Sequence, residues 1–237
     1  MRYDKIKKGV FLERPNRFIA HCLVDGQPVV AHVKNTGRCQ ELLVPGVTVY
    51  LNYSDQPNRR TPCDLVTVEK GERLVNIDSQ APNQVVYDAL SKGELVLPQQ
   101  KGKLTLIKRE SVFYDSRYDL YVESSCESEE IWRAYIEVKG VTLEEDGVVL
   151  FPDAPTERGV KHLKGLQQAN LECDASYVIF LIQMSNVKYF TPNAQRHPAF
   201  ASTLKEVAAT GVKVLAFDSI VTEDSITFGN PVEVRLK

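Results

Sequence analysis

The 237-residue chain has no apolar run long enough to cross a bilayer. Its longest, YVIFLI at 177–182, is far short of the roughly 18 residues a spanning helix needs, so no membrane partner is expected. The start, MRYDKIKKGVFLERP, is basic but has no apolar core of the kind a secretory signal carries, and a cytoplasmic location follows as the expectation. Cysteine is scarce. Cys22, Cys39, Cys63, Cys126 and Cys173 lie far apart with no CxxC pair, which speaks against a zinc cluster or a disulfide framework and fits free thiols in a reducing compartment. There is no GxSxG elbow, Walker-type P-loop, HExxH or GxGxxG, so no motif calls for an organic cofactor. Cys126 sits in the acidic run CESEE, which raises a thiol pKa and makes a poor nucleophile.

Excess charge is also missing. A formal charge of -2 and a pI near 6.1 argue against binding polyanions over the whole surface. The distribution is uneven, however: residues 1–80 hold 12 Lys and Arg against 9 Asp and Glu, while the rest of the chain is net acidic. A nucleic-acid surface must therefore be local. Arg2, Lys5, Lys7, Lys8, Arg14 and Arg17 are its first candidate, against the alternative of an ordinary solvated basic terminus.

What the chain does have is two kinds of pattern. Its first third is a series of short alternating segments, GVFLER, RFIAHCLV, QPVVAHVK, GVTVYLNY, CDLVTVEK and RLVNI, with Asp25-Gly26 as a hairpin signal between two of them. Several short strands with little helix suggest a small closed barrel, and by analogy an OB-like one, a module that grips oligonucleotides. His21 and His32 flank the hairpin; two histidines without a third ligand read as strand residues. After NIDSQAPN at 76–83 the pattern changes, placing a first domain at 1–80 and a second at 81–237. In the second, Asn83 is expected to cap a short helix that Gly93 ends. Strand-like runs LTLIKRESVF, RYDLYVES and WRAYIEVKGVTL follow, then a helix over about 156–170, the apolar strand YVIFLIQM, a helix over 198–209 and a final strand pair.

The stretch YIEVKGVTL at 135–143 puts Glu137 and Lys139 on one strand face. A hairpin centred near Ser128 sets Asp119 opposite Glu137, and a tight turn at Tyr114-Asp115 sets Glu110 opposite Asp119. These registers make a row of three carboxylates, Glu110, Asp119 and Glu137, which needs a cation because like charges opposite one another repel. Lys139 supplies one in part. Mg²⁺ or Mn²⁺ would supply more, since hard cations take carboxylates, waters and substrate phosphate. Asp119, Glu137 and Lys139 are then the parts of a phosphodiester-cutting site. The alternative is a solvated ion pair on a strand. In the next helix Thr156 is the cap and Val160, Leu163 and Leu166 the apolar stripe. Arg158, Lys161 and His162 share an adjacent arc, either as a phosphate clamp or as a solvated basic face.

Taken together, AHVKNTGRCQELLVPG at 31–46, SRYD at 116–119, YIEVKGVTLEEDGVVLFPDAPTERGVKHLKGL at 135–166, VIFLIQM and GVKVLAF resemble the sugar fermentation stimulation protein A family over nearly the whole chain. The resemblance implies an N-terminal OB-like β-barrel, a C-terminal αβ domain with a mixed sheet like the PD-(D/E)-x-K nucleases, and DNA binding with a regulatory role in sugar metabolism. It places the nuclease-like motif on Asp119, Glu137 and Lys139 with Glu110 upstream, and matches Thr156, Glu157, Arg158, Lys161 and His162 in the helix that follows. The chain departs from the family pattern at His197-Pro198 and at Gln183, Met184, Ser185 and Asn186. The first expectation is a DNA-binding protein with a metal-capable site, which Arg14, Arg17, Arg158, Lys161 and His162 serve as phosphate contacts. The alternatives are a working Mg²⁺-dependent nuclease and a metal-free sugar-responsive regulator.

Overall fold

The computed structural model describes residues 1–35, 37–125 and 130–236. The first domain is built from β1 (Ile6–Asn16), β2 (Ile19–Val24), β3 (Gln27–Val33), β4 (Thr48–Tyr53), β5 (Cys63–Lys70) and β6 (Arg73–Asn76). The sheet order is β3-β2-β1-β4-β5-β6, and a parallel pairing of β3 with β5 closes the first five strands into a barrel. Strict alternation makes this possible: along β2, Ala20, Cys22 and Val24 point into the barrel and Ile19, His21 and Leu23 point out. The β2–β3 turn takes positive φ at both Asp25 and Gly26, the backbone that a two-residue hairpin requires. His21 and His32 do not face each other; each is held by its own carboxylate, Glu13 and Asp64 respectively.

The second domain follows as α1 (Ala81–Lys92), β7 (Lys103–Phe113), β8 (Ser116–Ser125), β9 (Ile131–Val141), β10 (Glu144–Glu145), β11 (Val148–Phe151), α2 (Glu157–Glu172), β12 (Ala175–Ile182), β13 (Tyr189–Pro192), α3 (Pro198–Ala209), β14 (Lys213–Val221) and β15 (Ile226–Pro231). Its main sheet runs β15-β14-β12-β9-β8-β7, parallel across β9, β12 and β14 and antiparallel at both edges. The central strand β12, ASYVIFLI, is buried at every position because helices cover both faces of a parallel core. On one face α1 packs through Val85, Val86 and Ala89 against Ile136, Val138, Ile179 and Leu181. On the other, Leu163 and Leu166 of α2 and Leu204 of α3 pack against Val178, Phe180 and Ile182.

The small sheet β10-β11-β13 was not expected from the sequence. It ties the domains together: buried Glu144 accepts from Lys70 at 2.6 Å and Arg73 at 2.9 Å, both from the barrel side. A buried polar junction does the same nearby, where Gln183 donates to Asn76 Oδ1 and to the Asp78 carbonyl, each at 3.0 Å. This is where the Gln183 departure from the family pattern goes. Among the described residues Cys22, Cys39, Cys63 and Cys173 are free thiols, and burial pushes the first two up to about 12. Cys126 and the expected hairpin centre at Ser128 lie outside the described residues. No helix is long and apolar enough to cross a membrane among the described residues.

A candidate carboxylate and lysine site

The β8–β9 ladder keeps its register from Ser125 opposite Ile131 to Leu120 opposite Ile136 and then stops. One step further along is the level of Asp119 and Glu137, the register expected from the sequence. Here β8 turns over: Leu120 belongs to the core on the α1 side, whereas Tyr118 packs on the α2 side. The Asp119 carboxylate takes the place of the interrupted ladder. Its Oδ2 accepts from the Val138 backbone N–H at 2.7 Å, and its Oδ1 accepts from Asn83 Nδ2 at 2.6 Å. Asn83 is free to do this because it does not cap α1; the cap position is Gln80, with proline in the first turn.

Glu137 and Lys139 share a face of β9, as strand alternation requires, and that face looks onto α2. Glu137 is 3% exposed. Its Oε1 accepts from Lys139 Nζ at 2.5 Å and from His162 Nδ1 at 2.6 Å, while Oε2 is buried with no hydrogen-bond partner. Arg158 Nε donates to His162 Nε2 at 3.3 Å, so that nitrogen is the acceptor and the proton rests on Nδ1, aimed at Glu137. The side chains meet because Arg158 and His162 lie four residues apart on a helix whose phase is set by its cap, Thr156 Oγ1 accepting from Gly159 N at 3.0 Å.

Electrostatics separates the two acids. Burial pushes the Glu137 carboxyl up, but the bonds from His162 and Lys139 outweigh it and hold the group below the usual carboxylate range. Asp119 is pushed up to about 6 by burial and by the Glu137 charge beside it, against the Val138 and Asn83 bonds that favour its ionised form. Two carboxylates thus share one ammonium, and one of their oxygens is left over.

Other expected site residues are placed differently. Arg109 opposite Leu120 and Ser111 opposite Tyr118 bracket Glu110 at the Asp119 level, but Glu110 has a left-handed backbone, φ 54°, and its carboxylate turns out to pair with Arg117 at 2.9 Å. At 58% side-chain exposure it stands outside the buried pair, so the row has two acids instead of three. Among the described residues no group of three or more His, Cys, Asp or Glu converges to hold a metal. The Arg158, Lys161 and His162 clamp is likewise not assembled: Lys161, though exposed, pairs with Asp115 at 2.8 Å, His162 faces Glu137, and Arg158 stays exposed beside the site. His197 caps the approach to α3, its Nδ1 accepting from Thr156 N at 3.3 Å and its Nε2 lying 3.2 Å from Glu157.

The basic front end is mostly committed as well. Arg14 donates to the carbonyls of Arg17, Asn35, Gly37 and Arg38 at 2.7 to 2.9 Å, which makes it a brace for the loop ahead of Cys39 and removes it as a phosphate contact. Arg2, Lys5, Lys7 and Lys8 each have a carboxylate partner, Asp224, Asp55, Asp25 and Glu69. Arg17 forms no ion pair among the described residues and lies over the Phe18 ring at 5.1 Å. It also reaches a cleft of about 430 Å³ between the domains, whose wall includes Gly140, the residue after Lys139.

Comparison with known proteins agrees with this architecture. Residues 12–77 match the family model "SfsA N-terminal OB domain", and residues 80–225 match "Sugar fermentation stimulation protein RE domain". The chain is 51% identical over 236 residues to the sugar fermentation stimulation protein homolog of Desulfitobacterium hafniense (strain DSM 10664 / DCB-2), covering 100% of this chain and 99% of that one. It is 49% identical to the homolog of Ruminiclostridium cellulolyticum, with full coverage of both. Among solved structures it is similar to "The structure of Pyrococcus Furiosus SfsA in complex with Ca2+", with a TM-score of 0.84 and 26% identity over 99% of this chain and 98% of that one. The chain belongs to the sugar fermentation stimulation protein family.

Proposed function

We propose that the protein binds DNA and hydrolyses its phosphodiester bonds with Mg²⁺ or Mn²⁺ held at Asp119 and Glu137. The observation that carries this reading is the unpartnered Oε2 of buried Glu137, beside an Asp119 that burial and the neighbouring charge push up to about 6. A saturated ion pair would leave neither. Two carboxylates suit a hard cation, which takes oxygen ligands, better than zinc, which wants four protein or solvent ligands in a closed tetrahedron. The Pyrococcus furiosus relative is described in complex with Ca²⁺, a cation of that class. The bound ion would supply Lewis acidity toward the phosphate and acidify the attacking water.

The chain's own groups divide the remaining work. Lys139 spends one of its three N–H donors on Glu137 and offers the others to the attacking water and the charged phosphoryl oxygens. His162, whose Nε2 accepts from Arg158, donates from Nδ1 to Glu137 Oε1 and so fixes which Glu137 oxygen stays free. Asn83 and the Val138 amide hold Asp119 at the mouth of the split between β8 and β9. Arg158 supplies an exposed guanidinium for a neighbouring phosphate.

The test is incubation of the purified protein with supercoiled, linear and single-stranded DNA in Mg²⁺ or Mn²⁺, beside Asp119→Ala and Lys139→Ala. The expected result is cleavage by the wild type and a loss of about a hundredfold or more in each variant. Binding that falls steeply with salt, without any cuts, would instead favour the second reading, a DNA-binding regulator of sugar metabolism that uses the family fold without hydrolysis. Absence of binding at every salt concentration would remove both.

A further inference from the structure

Two cavities meet at Arg17 and Gly37. The inner one is the interdomain cleft of about 430 Å³, which runs past Asn35, Ser79 and Thr142 to Gly140. The outer one, about 500 Å³, lies on the barrel over Phe11, Leu43 and Pro45, with Arg17 and Arg38 at its rim. Since both are lined by the same two residues, they form one trough that leads from the barrel surface to the strand carrying the catalytic lysine. At Gly140 the trough reaches β9 one residue after Lys139, whose side chain points to the other face of the strand.

The chemistry of the trough is graded along its length. Its outer floor is apolar and its rim carries two guanidiniums, Arg17 and Arg38, that form no ion pair among the described residues. Phe18 stands 47% exposed beside Arg17, whose guanidinium lies over one face of its ring at 5.1 Å. The inner cleft is instead lined by polar side chains, Ser79, Thr142 and the Asp153 carboxylate, together with Asn35 and Gln183, whose amides are already bonded to the Ile77 carbonyl and to Asn76 and Asp78. The geometry of the walls is fixed. Arg14 clamps the loop from one side, the Arg38 amide donates to Asp153 Oδ2 at 3.1 Å from the other, and a side chain added at Gly37 would meet that oxygen at 2.4 Å.

We propose that this trough is a track for the single-stranded end of a DNA chain. Arg17 and Arg38 hold its phosphates, Phe18 stacks a base, and the inner cleft takes the end down to β9, the strand that carries Glu137 and Lys139. The inference rests on the phosphodiesterase reading and narrows its substrate to strand ends and overhangs. A duplex is far too wide for a cleft of this volume, and its bases are already stacked and paired; a single strand offers the free base faces and edges that an aromatic ring and a polar cleft recognise.

The test uses the full chain in EDTA, so that binding is read without any metal or cleavage. Fluorescence anisotropy compares a labelled dT oligonucleotide of about 15 residues with a blunt hairpin duplex of equal charge. The track predicts at least tenfold tighter binding of the single strand. Removing both rim arginines in R17A/R38A should weaken it about tenfold and reduce the slope of log affinity against log salt by about 1.4, two phosphates at about 0.7 each. Phe18→Ala should cost at least about fivefold, the low end for one stacked base. K92A/K101A, on lysines outside the trough, should change nothing. Equal or tighter binding of the hairpin, unchanged affinity in R17A/R38A, or an equal loss in K92A/K101A would overturn the track. Cleavage assays in Mn²⁺ then separate the two readings: cutting of relaxed closed circles as readily as of ends removes the track and leaves the nuclease, whereas tight single-strand binding with no cutting removes the nuclease and leaves the track.

Discussion

Each domain buries carboxylates, and the two sets are treated differently. Asp64 in the barrel is 3% exposed and fully partnered, with Lys34 Nζ at 3.1 Å, the His32 ring Nδ1 at 3.2 Å and the Arg59 guanidinium across both oxygens. Burial alone would push its pKa up, yet Arg59 and Lys34 hold it below the usual range. In the second domain Asp119 and Glu137 share the single ammonium of Lys139, Asp119 is pushed up to about 6, and one Glu137 oxygen has no partner. The barrel's acid is a finished ion pair that braces the wall against the loop after β3. The second domain's acids are an unfinished one, and an unfinished buried charge persists where something outside the chain completes it.

The largest test of this contrast is stability. Asp64→Asn leaves Lys34 and Arg59 facing a neutral group and is expected to cost about 3 kcal/mol in urea unfolding, the scale for breaking a buried pair from one side. Asp119→Asn in metal-free protein should stay within about 1 kcal/mol of wild type, because it removes a repulsion with Glu137. The new amide keeps an acceptor for the Val138 N–H, and Asn83 can turn its own amide to accept from it. Equal losses in the two variants would mean that both sites are structural.

Much of this was legible in the sequence, because short-range alternation writes a strand's faces directly. The six strands of the first domain, the Asp25-Gly26 hairpin, the α2 cap at Thr156 and the registers across β7, β8 and β9 all follow from local pattern. What could not be read depends on one residue's backbone or on distant partners. The left-handed turn at Glu110 carries no glycine to announce it, so a correct register still put the carboxylate in the wrong place. His162 was legible as a candidate site residue but not as the holder of Glu137, which lies 25 residues away on another element. Arg14 looks like any surface arginine until the four carbonyls it serves are brought together. The strands β10, β11 and β13 run to only two to four residues and have no periodicity to detect.

A divalent ion should then sharpen the contrast. Mn²⁺ at about 100 times its dissociation constant stabilises a protein that binds it only when folded by about 2.7 kcal/mol. Thermal unfolding with and without Mn²⁺ should show this gain in the wild type and retain it in Asp64→Asn, provided that variant is assayed below its lowered midpoint. It should vanish in Asp119→Asn. A gain that survives in Asp119→Asn would place the ion elsewhere in the molecule.

The smallest expected effect is the response to acid, and its sign differs between the two sites. Asp119 has a folded pKa near 6, above that of the unfolded chain, so the folded state binds its proton more tightly; its contribution is unfavourable at pH 7.5 and is relieved as pH falls through about 6. Asp64 is held low, so its contribution is present at neutral pH and is lost only as pH falls through its folded value, below the usual carboxylate range. Between pH 7.5 and pH 5, metal-free wild type should therefore gain about 1 kcal/mol relative to Asp119→Asn, read as the difference between their urea unfolding free energies at the two pH values. Because Asp64 stays ionised throughout that window, it adds nothing to the difference. A flat comparison across the window would show that Asp119 is already neutralised by a partner within the chain, and the distinction between a finished and an unfinished charge would lose its physical basis.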